Sequence, residues 1–247
     1  MAVFKEAEFY ELSERAVTVK FGEGIDPVLH ARVSQFMQLV NEQPFHGYVE
    51  AVPSYTGITF FYNPLKVIKT NNEITIQQGV IAEIKERIAQ LDYTAKSGLE
   101  ANKIEIPVLY GGEFGPDLHE VAHTNGLSTD EVIHLHSERT YLVYMIGFAP
   151  GFPFIGGMNE RIATPRKSKP REKVPAGSVG IAGHQTGVYP MATPGGWQLI
   201  GQTPLKLFDV NRDVPSLLQS GDQVTFKPIS NETFLELKER SEKSHDS

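Results

Sequence analysis

In "EFYELSERAVTVKFG", residues 8–22, β-branched and aromatic positions alternate with polar ones on either side of a polar turn at Ser13 to Arg15, which predicts two short strands. The period then changes. From Asp26 onward Leu29, Val33, Phe36, Met37 and Val40 recur every three or four residues, and Asp26 with Pro27 supplies an N-cap and a first helical residue that needs no N–H partner. "GYVEAVPSYTGITFFYNP" offers two more strands around a Pro53-Ser54 turn, and Ile81, Ile84, Ile88 and Leu91 return to helical spacing. The order ββαββα packs as helices on one face of an antiparallel sheet, so residues 1–93 are expected to form a small α+β sandwich domain. "YTAKSGLEAN", 93–102, has no period and reads as a linker.

Beyond it the pattern breaks into short β-rich runs separated by Gly and Pro. "KIEIPVLYGG", "TYLVYMIGF", "GSVGIAG", "TGVYP", "GGWQLIGQTP" and "GDQVTFKPI" predict a barrel or sandwich over residues 103–230. Helical stretches near 117–124 and 129–138 interrupt it, the second with Thr129 as cap and Asp130 and Glu131 in its first turn. The tail 231–247, "NETFLELKERSEKSHDS", predicts a terminal helix.

Composition narrows the function. The 247 residues are 40% hydrophobic and 21% charged, a globular balance with chain enough for two cores. No window approaches the roughly eighteen uninterrupted apolar residues of a membrane span, and Lys5, Glu6 and Glu8 fall where a signal peptide needs an apolar run, so a cytoplasmic protein is expected. Zero cysteines exclude disulfides, a thiolate nucleophile and Cys-ligated metal. A net charge of −7 argues against nucleic acid as a partner. The charge is uneven, however: from Arg161 to Lys173 six Lys or Arg face only Glu172, a local +5 that leaves −12 on the remainder. Such an island is either a solvated loop or an anion site.

Two short motifs invite wrong turns. His119-Glu120-Val121-Ala122-His123 has the spacing of zinc proteases, but Thr129 stands where one zinc family has its third histidine, and the predicted helix is only about two turns long. Exposed polar residues of a surface turn account for the pair, and no metal site is expected. Ser178 in "PAGSVG" precedes a strand and so is no nucleophile elbow, and neither a Walker loop nor a dinucleotide fingerprint occurs.

The densest chemistry lies in 147–204. Gly and Pro at this frequency fix turns, and the embedded aromatics argue against disorder. Arg166 follows Pro165 and Arg171 follows Pro170, so each guanidinium sits on a stiffened stem suited to carboxylate or phosphate. Lys167, Lys169 and Lys173 add a diffuse positive field, while Phe148, Phe152, Phe154 and Trp197 together are expected to wall a pocket.

"GFAPGFPFIGG", "PRKSKPREKVPAGSVGIAG", "TGVYP" and "PGGWQLIGQTP", in this order, resemble the carboxyltransferase-domain family that includes the B subunit of bacterial 5-oxoprolinase and the Kip kinase inhibitor, formerly labelled allophanate hydrolase subunit 1. "GGEFGPDL" at 111–118 and "HSERTYLVYMIGF" at 136–148 fit as well. The resemblance implies an N-terminal α/β domain followed by a cyclophilin-like β-barrel, and an ATP-dependent opening of 5-oxoproline to glutamate carried out only with subunits A and C. A lactam is a poor electrophile; phosphorylating its oxygen makes the ring carbon attackable by water, which calls for cations and a fixed carboxylate pocket. On that basis Arg166 and Arg171 are expected to bind phosphate or substrate carboxylate, Gly177 and Ser178 to donate hydrogen bonds, and His136 to transfer a proton. Gly147, Phe152, Pro153, Gly195, Gly196 and Trp197 are expected to complete the substrate- or ATP-binding surface. ATP, with Mg, is expected at a composite site, because this chain has no evident carboxylate cluster. The same resemblance leaves open a non-catalytic inhibitor of a histidine kinase; biotin-linked carboxyl transfer is weaker, as nothing resembles a biotinyl-lysine domain.

Overall fold

The computed structural model describes residues 7–67, 75–91 and 102–243. The chain divides into two compact units, Met1–Glu100 and Ala101–Ser247.

In the first unit β1 (Glu8–Ser13) and β2 (Ala16–Lys20) form a hairpin, α1 (Pro27–Glu42) follows, then β3 (Tyr48–Pro53), β4 (Gly57–Tyr62) and α2 (Ile76–Ala89). The strands lie in the order β1-β2-β4-β3, all antiparallel. The Asp26 carboxylate caps α1 by accepting from the N–H groups of Val28 and Leu29, with Pro27 at the first position. Alternation on β2 and β4 buries Val17, Val19, Ile58 and Phe60 against Val33, Phe36 and Val40 of α1 and Val80 and Ile84 of α2. α2 starts earlier than its apolar spacing predicts, because the Thr75 hydroxyl accepts from the Gln78 N–H and extends the helix toward its N-terminus. The expected linker at 93–102 lies, but for Asn102, outside the described residues.

The second unit opens with β5 (Lys103–Tyr110), α3 (Leu118–Asn125) and α4 (Thr129–Ser137). Strands β6 (Thr140–Ile146), β7 (Pro153–Gly156), β8 (Arg171–Val174), β9 (Ser178–Ala182), β10 (Gln185–Val188), β11 (Thr193–Gly195), β12 (Gln198–Gln202) and β13 (Gln223–Pro228) follow, with α5 (Asn231–Lys243) last. Seven strands close into a barrel in the order β10-β7-β6-β13-β5-β12-β9, leaving β8 and β11 as a separate ribbon. Only β5 and β13 run parallel among these ladders, joined by a long crossover. Ile106, Val143, Ile155, Val179, Ile181, Ile200 and Val224 share one core with Leu118 and Val121 of α3 and Val132 of α4. The cap of α4 is Ser128, one residue before the expected Thr129: its hydroxyl accepts from the Glu131 N–H while the Glu131 carboxylate accepts from the Ser128 N–H, a reciprocal capping box. Among the described residues no helix is long and apolar enough to cross a membrane.

Candidate functional site

Five aromatic side chains meet beside the barrel. Phe152 is the hub, its ring edge-to-face with Phe148 at 5.5 Å, Phe154 at 5.0 Å, Tyr189 at 5.4 Å and Trp197 at 5.6 Å. Such pairs contribute about 0.5–1.5 kcal/mol each beyond their burial, so the cluster is a rigid wall. Phe152, Tyr189 and Trp197 are buried in a satellite core with Val174, Ala182 and Leu199, apart from the barrel's own, with Phe154 packed against it and Phe148 exposed at its edge. The rings line a cavity of about 270 Å³, completed by Arg166, Pro170, Pro194, Gly195 and Gly196.

The polar edge comes from the loop 165–170. Three anchors fix it. The Pro165 carbonyl accepts from Gln198 Nε2 at 3.0 Å, the Lys167 N–H donates to the Gly196 carbonyl at 2.7 Å, and Arg171 of β8 pairs with Gly195 of β11. Between these anchors the Arg166 guanidinium lies over the Trp197 ring, 5.9 Å from its centroid. Thus Arg166, Phe152, Gly195, Gly196 and Trp197 are brought together, as are Phe148 and Phe154.

The other residues singled out in the sequence go elsewhere. Arg171 is turned onto Asp117, with Nη2 2.8 Å from Oδ1, and Lys167 Nζ reaches the same oxygen at 2.9 Å. Burial pushes the Asp117 carboxyl up, but the hydrogen bonds from Arg171, the Leu199 N–H and Lys167 outweigh it and hold the group below its ordinary value. Arg171 is thus tied to Asp117 through Nη2, its Nη1 buried without a hydrogen-bond partner, and it does not line the pocket. The Gly177 N–H donates to the Tyr189 carbonyl and the Ser178 N–H to the Pro175 carbonyl, and Ser178 with its hydroxyl is buried, so neither residue lines the pocket. Their turn supports Tyr189 from behind, and Gly177 instead borders a second hollow with Lys206, Phe234 and Lys238. Pro153 is buried at the start of β7, and the Gly147 N–H closes a turn on the Phe152 carbonyl.

His136 requires a correction. It is wholly buried, between the Tyr110 hydroxyl at 2.7 Å from Nδ1 and Thr186 Oγ1 at 2.9 Å from Nε2. Thr186 donates its own proton to the Gly180 carbonyl, so Oγ1 accepts from Nε2–H and Nδ1 accepts from Tyr110. Both nitrogens are committed, and burial lowers the imidazole pKa to about 3. A group so placed is a core constituent with no access to a substrate in the pocket. His119 and His123 stand exposed on α3, and among the described residues no group of three or more His, Asp or Glu is gathered to hold a metal.

Sequence reasoning missed Tyr189, Pro170 and Pro194 as lining, although Tyr189 lies in the quoted "TGVYP". It missed Asp117 as well, whose partners are 50, 54 and 82 residues away. The lining offers a triphosphate one guanidinium and offers magnesium no carboxylate, so this chain's pocket does not by itself fit ATP with Mg. It does fit a small flat ring with a single negative charge: aromatic faces for the ring and a guanidinium at its edge.

A family model described as carboxyltransferase domain, subdomain C and D, matches residues 7–218. The 5-oxoprolinase B subunit of Bacillus subtilis (strain 168) is 48% identical over 240 residues, covering 94% of this chain and 96% of that protein. The 5-oxoprolinase B subunit of Escherichia coli O157:H7 is 44% identical over 226 residues, covering 91% and 97%. Among solved structures, a conserved uncharacterized protein from Pyrococcus horikoshii is 42% identical with a TM-score of 0.54, covering 92% of this chain and 100% of that one. Sustained across both units at this identity, the match means that the chain belongs to the carboxyltransferase-domain family of the 5-oxoprolinase B subunits.

Proposed function

We propose that the chain is the B subunit of an ATP-dependent 5-oxoprolinase, which opens 5-oxo-L-proline to L-glutamate and works only when assembled with subunits A and C. The observation that carries this reading is the pocket itself. The five-membered lactam ring is nearly flat, with three saturated carbons beside its amide, and 5-oxoproline bears one carboxylate on the ring. Phe152, Tyr189 and Trp197 provide the walls for the ring, and Arg166, held over Trp197 by anchors on both sides, provides the charge for the carboxylate. ATP and Mg belong to a composite site completed by the partner subunits. In this division of labour the chain binds and orients the lactam, presenting the carbonyl to chemistry supplied from across the interface.

The test is glutamate formation from 5-oxoproline and ATP by the purified subunits, with and without this chain. Product is expected only when the chain is present; equal rates from the partners alone overturn the assignment.

A further inference from the structure

Asp117 does not line the pocket, yet both of the pocket's sides lead to it. Its Oδ2 accepts from the Leu199 N–H at 2.7 Å, and its own N–H donates to the Leu199 carbonyl at 2.9 Å, which fixes β12 two residues beyond Trp197. Its Oδ1 takes Arg171 at 2.8 Å and Lys167 at 2.9 Å, the two cations that bracket the Lys167–Arg171 stretch of the rim loop. Asp117 is buried, at the entry to α3, where its carboxylate makes no cap bond to its own helix. That is unusual for an aspartate in this position, since the helix N-terminus ordinarily takes up the carboxylate. Here it is committed across the chain instead.

The consequence is a sorting of charge. Of the cations at 166, 167 and 171, two are drawn inward onto Asp117, and one, Arg166, is left facing the cavity with the Trp197 ring beneath it. We propose that Asp117 is the positioning residue of this pocket, clamping the Trp197 strand and withdrawing Lys167 and Arg171 so that the site selects a small monocarboxylate and rejects polyphosphates. This rests on the reading of the pocket as the 5-oxoproline site and adds how its selectivity is built. A site with all three cations turned outward would be a polyanion site, since attraction grows with the number of charges on each side. Withdrawal of two of them lowers that attraction while leaving the geometry for one carboxylate intact.

Trp197 is the only tryptophan in the chain, so its fluorescence reports on this pocket alone. The purified protein is titrated with 5-oxo-L-proline and, separately, with inorganic pyrophosphate. The unaltered chain is expected to respond to 5-oxoproline and only weakly to pyrophosphate. Asp117→Asn keeps a carbonyl for the Leu199 N–H but presents no charge to Arg171 and Lys167. It is expected to weaken 5-oxoproline by about tenfold or more, as small misplacements at a built site do, and to strengthen pyrophosphate. Lys167→Met leaves the Arg171–Asp117 pair in place, so the protein remains folded, and it is expected to loosen the loop and weaken 5-oxoproline to a smaller extent. An unchanged ratio of the two affinities in Asp117→Asn, with circular dichroism showing a folded chain, overturns the positioning role. If the unaltered chain ignores 5-oxoproline, the ligand reading fails, and the positioning role is then decided without ligand. Acrylamide quenching of Trp197 is expected to rise in Asp117→Asn, because the rim loop loses its charge ties to Asp117, which clamps the strand two residues beyond Trp197; identical quenching refutes it.

Discussion

Phe148 is held at a cost. Its φ of 68° is the left-handed region, the only such non-glycine among the described residues, and its ring is 74% exposed. That backbone costs a residue with a Cβ about 1–2 kcal/mol, and an exposed phenyl recovers little of it through burial. The conformation persists because a nest of turns dictates it: the Gly147 N–H to the Phe152 carbonyl, Ala149 to Gly147, and Phe152 to Ala149. What the strain secures is a ring against Phe152 at the mouth of the cavity. Asparagine tolerates the left-handed region far better, so Phe148→Asn is expected to raise stability by up to about 1 kcal/mol while weakening 5-oxoproline binding. The first is read from the urea midpoint of Trp197 fluorescence, the second from ligand titration. A lower midpoint contradicts the strain argument, and an unchanged affinity removes Phe148 from the pocket wall.

At the scale of elements, the approach of α3 to β12 sets where Asp117 stands. The Gly111 N–H donates to the Ile200 carbonyl, the Gly115 N–H to Gly111, and the Asp117 N–H to Leu199, so the segment entering α3 lies directly on the strand. Gly115 permits this: a Cβ there would sit far inside van der Waals contact with the Ile200 carbonyl oxygen. Gly115→Ala is therefore expected to destabilise the barrel by about 1–3 kcal/mol and to lower affinity at the pocket, because relieving the overlap displaces Asp117. Stability and binding both at unaltered levels would show that the close approach is dispensable. The same element separates what the sequence reveals from what it hides. The α1 cap is legible because Asp26 and Pro27 act on their immediate neighbours. The α4 cap lies one residue from its expected place although Ser128 and Glu131 spell the capping box locally, since Thr129 is also a cap-type residue and only the reciprocal bonds decide between them. The aromatic walls are legible as a group through their Gly and Pro punctuation. Arg171 defeats a local reading because its partner is 54 residues distant, and nothing nearby distinguishes a guanidinium bound for solvent from one bound for a buried carboxylate.

Across the whole barrel, His136 shows the same limit and gives a measurable pH dependence. It joins Tyr110 of β5 to Thr186 of β10, strands on opposite sides of the seven-strand ring, with the Phe226 ring of β13 at 4.4 Å. The imidazole therefore fills the interior of the barrel as a neutral Nε2–H tautomer, a fate set by residues 26 and 50 positions away. Its pKa falls from an ordinary 6.5 to about 3 through burial. Between those values the unfolded chain binds a proton that the folded barrel refuses. Stability is accordingly full above pH 6.5 and declines on acidification, by about 1.4 kcal/mol per pH unit once well below it. Asp117, held below its ordinary 3.8, also favours the fold at neutral pH, but its contribution is lost only as pH falls through that lower range. Between pH 6.5 and 5 the histidine thus outweighs Asp117, and Trp197 fluorescence follows the unit that contains both. The urea midpoint is expected to drop between pH 7 and 5 in the unaltered chain. His136→Gln, about 1–3 kcal/mol less stable at pH 7 because its amide satisfies Tyr110 and Thr186 imperfectly, is expected to lose that dependence. A variant whose midpoint falls as steeply as before would place the acid sensitivity outside the barrel interior.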